Sequence, residues 1–238
     1  MKKTFWKDYW SKQSDGQHHC QTETFLKGES EEKLFFLRKG ENLLDFGCGS
    51  ADLLAYYAPF FQFSVGADAS KSMLEKAKER LSVFGSQSNV RLIQSDNHLI
   101  WSDIAKSLGK DFKFDCITAG QVVQYLDEKE IEDFIANSVH HLTDDGKICL
   151  FDVVDSRTFM LWKAGLFKNN SFNFAVMMKW IIGHLKGIIK KLFGKPFYEI
   201  GYIYPPSFFV GLAEKYNLKL SRYNSMYYDY RYHIVLQK

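Results

Sequence analysis

LLDFGCGSADLL, residues 43–54, is the stretch whose reading decides the fold. Residues 42–46 form a short apolar run, and Gly47-Cys48-Gly49 ends it abruptly. A strand that must turn sharply and bring its backbone against a ligand needs residues without a Cβ, which Gly47 and Gly49 supply. Residues 51–58 then suit a helix stopped by Pro59, and a helix N-terminus offers unpaired N–H groups to a ligand. A dinucleotide fingerprint would place Gly or Ala at the sixth position; here Asp52 stands there, giving GxGxxD. Asp45, an acid inside the strand end, adds nothing for a pyrophosphate and suits a ligand with an ammonium group and a sulfonium centre.

Strands and helices alternate outward from this turn. Residues 62–67, 90–93 and 114–118 read as the second, third and fourth strands, and residues 147–154 as the fifth, entered through the turn Asp144-Asp145-Gly146. Residues 70–81 read as a helix capped by Ser70, with Met73, Leu74, Ala77 and Leu81 at helical spacing. Residues 130–141 form another, with Ile131, Phe134, Ile135 and Val139 on one side. Such alternation indicates βαβ units and a parallel sheet, and continuous apolar strands such as ICLFDVV suit a sheet covered on both faces. After Asp155 the rhythm breaks until a helix over 206–216 and two closing strands, 218–223 and 233–236. A helical piece over 30–39 lies in the polar lead. The expected organisation is a lead or cover over 1–40, a core over 41–155, a basic helical insert or lid over 156–204 and a closing unit over 205–238.

With these landmarks in order, LLDFGCGSADLL resembles motif I of the class I S-adenosylmethionine-dependent methyltransferases of small-molecule type. Ala51 stands at that family's third glycine position, a small replacement that still permits close approach. The resemblance covers about residues 40–155. It implies a Rossmann-like, doubly wound α/β fold with a mostly parallel seven-stranded sheet, an antiparallel closing strand and a helical insert after strand five. It also implies S-adenosyl-L-methionine as cofactor and S-adenosyl-L-homocysteine as product. Asp45, Phe46, Gly47, Cys48 and Gly49 would form the first turn around the cofactor. Asp68, 21 residues beyond Gly47 in VGADAS, would accept the ribose hydroxyl hydrogens. By the same resemblance Ala69, Ser70 and Met73 border the adenine, Asp96 and Asn97 meet its amino group, and Gly120 and Gln121 border the methionine moiety.

Methyl transfer from a sulfonium is an in-line displacement of a neutral thioether, so alignment and exclusion of water matter more than a base. The sequence accordingly advertises no catalytic residue. Candidates are His18 and His19 in the lead, where Trp6, Tyr9 and Trp10 would cover the cofactor, Tyr125 after the fourth strand, and Asp152 and Asp155 toward the end of the fifth. His184 and His233 complete the set; His140 and His141 sit at a helix C-terminus and are set aside. A methyltransferase-like partner subunit without turnover is the competing reading, kept by Ala51 and the missing base.

The 238 residues carry a net charge of +3, unevenly spread: residues 156–238 hold 13 Lys+Arg against 3 Asp+Glu. Residues 176–194 place Met177, Met178, Ile181, Ile182, Leu185, Ile188, Ile189, Leu192 and Phe193 on one face, with lysines elsewhere. That pattern suits ordinary packing, a lid over an apolar acceptor, or a helix in an anionic membrane interface. The expected partner is a small-molecule, sugar or lipid-linked acceptor methylated on O or N. No nucleic acid is expected, since AGQV (residues 119–122) stands where base-methylating relatives carry an NPPY-like tetrapeptide. Cys20, Cys48, Cys116 and Cys149 make no zinc spacing, so no metal is expected and reduced thiols in the cytoplasm are. There is no signal-like run and no stretch of about 18 apolar residues for a membrane span.

Overall fold

The computed structural model describes residues 21–37, 40–163, 174–175, 178, 181–183, 185–186 and 201–238. The chain enters through α1 (Glu23–Phe36), β1 (Gly40–Phe46), the single turn α2 (Leu54–Tyr57), β2 (Phe61–Asp68) and α3 (Lys71–Val83). It continues through β3 (Val90–Gln94), α4 (Ile100–Leu108), β4 (Phe114–Gly120), α5 (Glu128–His141) and β5 (Leu142–Val154). After α6 (Ser156–Lys163), the described elements are α7 (Pro206–Lys215), β6 (Lys219–Asn224) and β7 (Arg231–Gln237).

The seven strands lie in the order β3-β2-β1-β4-β5-β7-β6. The first five are parallel, and β7 pairs antiparallel with both β5 and β6. This is the Rossmann-like fold expected of the sequence, with β7 as the one antiparallel strand of the closing pair. The order reverses between β1 and β4, so their carboxyl ends splay apart into the crevice where open α/β sheets bind ligands. Leu43, Leu44, Ile117, Ile148 and Leu150 are fully buried because helices cover both faces. One core joins the sheet to α4, α5 and α7 through Ile104, Ile135 and Phe209; the other joins it to α2 and α3 through Leu54, Ala77 and Leu81.

Several boundaries differ from the sequence reading. The helix expected over 51–58 shrinks to α2 and a 3-10 turn at Ala58–Phe60, because Ala51 takes a left-handed φ of 60° and Pro59 follows at once. The helix of the lead begins at Glu23, where Thr22 Oγ1 accepts from the N–H of Phe25, and it ends at Phe36. The sequence reading passed over α4, which buries only Ile100 and Ile104, one turn apart, and starts without a side-chain cap. α5 starts at Glu128 through a capping box: Asp127 accepts from the N–H of Glu130, whose carboxylate accepts from the N–H of Asp127. The insert's ends meet in a bridge between Asp155 and Tyr204. Most of residues 176–194 lie outside the described residues; of the apolar face, Met178, Ile182 and Leu185 are exposed. Among the described residues no helix is long and apolar enough to cross a membrane.

Candidate active site

The turn after β1 is fastened to the end of β2. The N–H groups of Gly47 and Cys48 both donate to the carbonyl of Ala67, at 2.7 and 3.1 Å. Gly47 has φ 73°, and a Cβ there would lie 2.4 Å from Val122 Cγ2, so both backbone and space demand glycine. Gly49 has φ 54°, but nothing lies within 4 Å of where its Cβ would be. That open side is where a ligand can approach the backbone. Ala51, also left-handed, carries a strain of about 1 kcal/mol that glycine would not.

Asp68 is held from two sides. Its Oδ2 accepts from the N–H of Gly49 at 3.0 Å and its Oδ1 from the N–H of Ser70 at 2.8 Å. Burial raises its pKa and the backbone N–H groups oppose the rise. Each carboxylate oxygen keeps a further lone pair, so the fixed group can still accept from a ligand. Ser70 caps α3, its Oγ accepting from the N–H of Met73 at 3.4 Å. Asp45 is 7% exposed and accepts from Thr118 Oγ1 at 2.8 Å. Burial pushes its pKa to about 7, against the pull of Thr118, and the negative charge of Asp68 adds to the rise.

Both acids face a cavity of about 560 Å³ at the carboxyl ends of β1, β2, β3 and β4. The segment Asp45 to Gly49, Asp68 to Ser70, Met73, Asp96, Asn97, Gly120 and Gln121 all line it. Thus the thirteen residues expected at the cofactor all line one cavity. Trp101 and Phe134, 6.1 Å apart between ring centroids, add an apolar part to its lining. Gln121 is left-handed at φ 56°, its N–H donating to the carbonyl of Phe151.

The catalytic candidates are scattered. Tyr125 lines the cavity, its hydroxyl accepting from Gln124 Nε2 at 2.9 Å. Asp152 is not on the wall. It sits at a bulge in β5 with φ 56°, which turns its buried carboxylate to Lys33, 2.7 Å away, and to Ser225, whose hydroxyl donates at 3.1 Å. Although burial works against it, Lys33 holds the Asp152 pKa low. His233 is buried, accepting from the N–H of Asp152 and lying 3.2 Å from Glu32, and Asp155 pairs with Arg157 and Arg222. His18, His19 and His184 lie outside the described residues.

Residues 44–148 match the family model described as a methyltransferase domain. The match spans less than half of the chain, and that stretch is similar to a methyltransferase domain. Its fold is that of the class I S-adenosylmethionine-dependent enzymes. Phosphoethanolamine N-methyltransferase 1 of Haemonchus contortus, solved with phosphoethanolamine and S-adenosylhomocysteine, is 17% identical with a TM-score of 0.65; the match covers 99% of this chain and 47% of that one. The chain therefore spans about half the length of that enzyme. Magnesium protoporphyrin IX methyltransferase from Synechocystis PCC 6803, with bound S-adenosylhomocysteine, is 14% identical at a TM-score of 0.61, covering 99% of this chain and 97% of the other. A putative O-methyltransferase from Nostoc punctiforme PCC 73102 is 15% identical at a TM-score of 0.60, covering 91% and 60%. No curated protein matches the sequence closely enough to count as a relative.

The sequence reading missed several groups on the cavity wall. Thr118, Trp101 and Tyr57 all line the cavity. Thr118 left a faint signal, a polar residue inside the apolar run of residues 116–119. Tyr57 left none, because only the folded chain brings it there; Tyr202, in the aromatic-rich stretch 196–209 that the sequence reading offered as pocket lining, lines the cavity too.

Proposed function

We propose that the protein is an S-adenosylmethionine-dependent methyltransferase acting on oxygen or nitrogen of a small-molecule, sugar or lipid-linked acceptor. One observation supports this most: a single crevice at the β1–β4 switch point is lined by Asp45, the Gly47–Gly49 turn and the doubly anchored Asp68 together. The donor set fits a sulfonium nucleoside. Asp68 would take the ribose hydroxyls, Asp45 the α-ammonium, and the apolar part around Met73 and Ile100 the adenine. When bound, such a nucleoside supplies a methyl group on a good leaving group. The chain's own residues then have to orient it, keep water out and admit the acceptor from the side of Gln121 and Tyr125. The Haemonchus and Nostoc neighbours, named for N- and O-methyl transfer, support either acceptor atom. Calorimetry with S-adenosylhomocysteine tests the reading, and micromolar binding is expected. Release of that product on a panel of hydroxyl and amine acceptors separates an enzyme from a binding subunit.

A further inference from the structure

Tyr57 is a buried hydroxyl with nothing to bond to. The ring belongs to α2 and is 2% exposed, yet it lines the ligand cavity. Its neighbour Tyr56 points outward and donates to Glu23, whereas the Tyr57 hydroxyl has no hydrogen-bond partner among the described residues. A buried polar group left unpaired is destabilising, so its survival in the wall of a ligand cavity calls for a partner that arrives with the ligand.

The surroundings say which part of a ligand that is. After burial itself, the carboxylates of Asp45, Glu29 and Asp152 act most strongly on this phenol, and together they keep it protonated far beyond neutral pH. The nearby cation, Lys33, is committed to Glu29 and Asp152. A ligand carboxylate would be one more anion among these acids; an ammonium group would be attracted. We propose that Tyr57 is a cofactor-binding residue whose hydroxyl oxygen accepts a hydrogen bond from the α-ammonium of the amino-acid arm, beside Asp45. This rests on the methyltransferase reading above. It assigns recognition of the arm to α2 as well as to the glycine turn.

Calorimetry on the wild type and Tyr57→Phe, with S-adenosylhomocysteine and with its desamino counterpart that keeps the carboxylate, tests the assignment. Tyr57→Phe should weaken S-adenosylhomocysteine binding by about tenfold, the worth of one hydrogen bond to a charged group. The desamino ligand should bind both proteins within about twofold of each other, and thermal stability should be unchanged or higher, since an unpaired hydroxyl has been removed. Equal affinity of both proteins for S-adenosylhomocysteine overturns the inference, as does an equal loss for the two ligands. A wild type that fails to bind S-adenosylhomocysteine overturns the methyltransferase reading itself, and the inference with it.

Discussion

Asp45 meets two opposed demands. Its folded pKa of about 7 lies well above the ordinary 3.8 because burial penalises the charged form. The stability it contributes is therefore full below pH 3.8 and is lost as pH rises through 7. An ammonium ligand needs the ionised form, so affinity should move the other way. S-adenosylhomocysteine should bind more tightly as pH rises from 6 to 7.5 and level off above, a trend calorimetry can follow. Asp45→Asn should flatten that profile and weaken binding, yet raise the melting temperature at pH 8 by about 2 °C or more, which calorimetric scanning checks. Asp68→Ala should cost at least ~1 kcal/mol of binding if the carboxylate bonds the ribose. Gly47→Ala should be far worse for folding than Gly49→Ala, because only Gly47 would drive a Cβ into Val122; thermal melts of the two variants decide it. Gly47, Gly49 and Asp68 were legible from the sequence because their spacing carries the chemistry. The bond from Gly49 to Asp68 was not, since it joins separate strands.

At the scale of elements, α1 is held by charge. Its buried positions are Leu26, Glu29, Ser30 and Lys33, spaced along one helical face, and three of the four are polar. Apolar periodicity could not reveal such a helix, so the sequence reading placed it at 30–39, past its true start. Lys33 bonds Glu29 within the helix and pairs with Asp152 at the β5 bulge, while Met226 of the β6–β7 loop donates its N–H to Glu32. The helix is thereby tied to strand end and hairpin at once. Lys33→Met leaves two buried acids without their cation and should destabilise the fold by about 3 kcal/mol in denaturant melts. Adding Asp152→Asn should restore part of that loss, because removing both charges of a buried pair is much less costly than removing one. An unchanged midpoint for Lys33→Met would show that the cluster does not hold α1.

For the whole molecule, the parallel half of the sheet was the legible part. β1, β4 and β5 are buried on both faces, so their sequences are continuous apolar runs that announce themselves. The exposed edge strand β6 and its partner β7 were read as well, over 218–223 and 233–236. What stayed hidden was whatever distant segments build together: the Trp101–Phe134 pair from α4 and α5, Tyr57 and Asp45 lining one cavity, and the polar cluster beneath α1. The basic stretch 156–204 joins the sheet through the Asp155–Tyr204 bridge, so both its ends stand near the carboxyl end of β5. The most direct test of the account is a crystal structure with S-adenosylhomocysteine. The account predicts the nucleoside in the β1–β4 crevice, its ribose hydroxyls within hydrogen-bond distance of Asp68 and its ammonium beside Asp45. A crevice without the nucleoside at saturating concentration, or a ribose bonded elsewhere with Asp68 turned away, would contradict it.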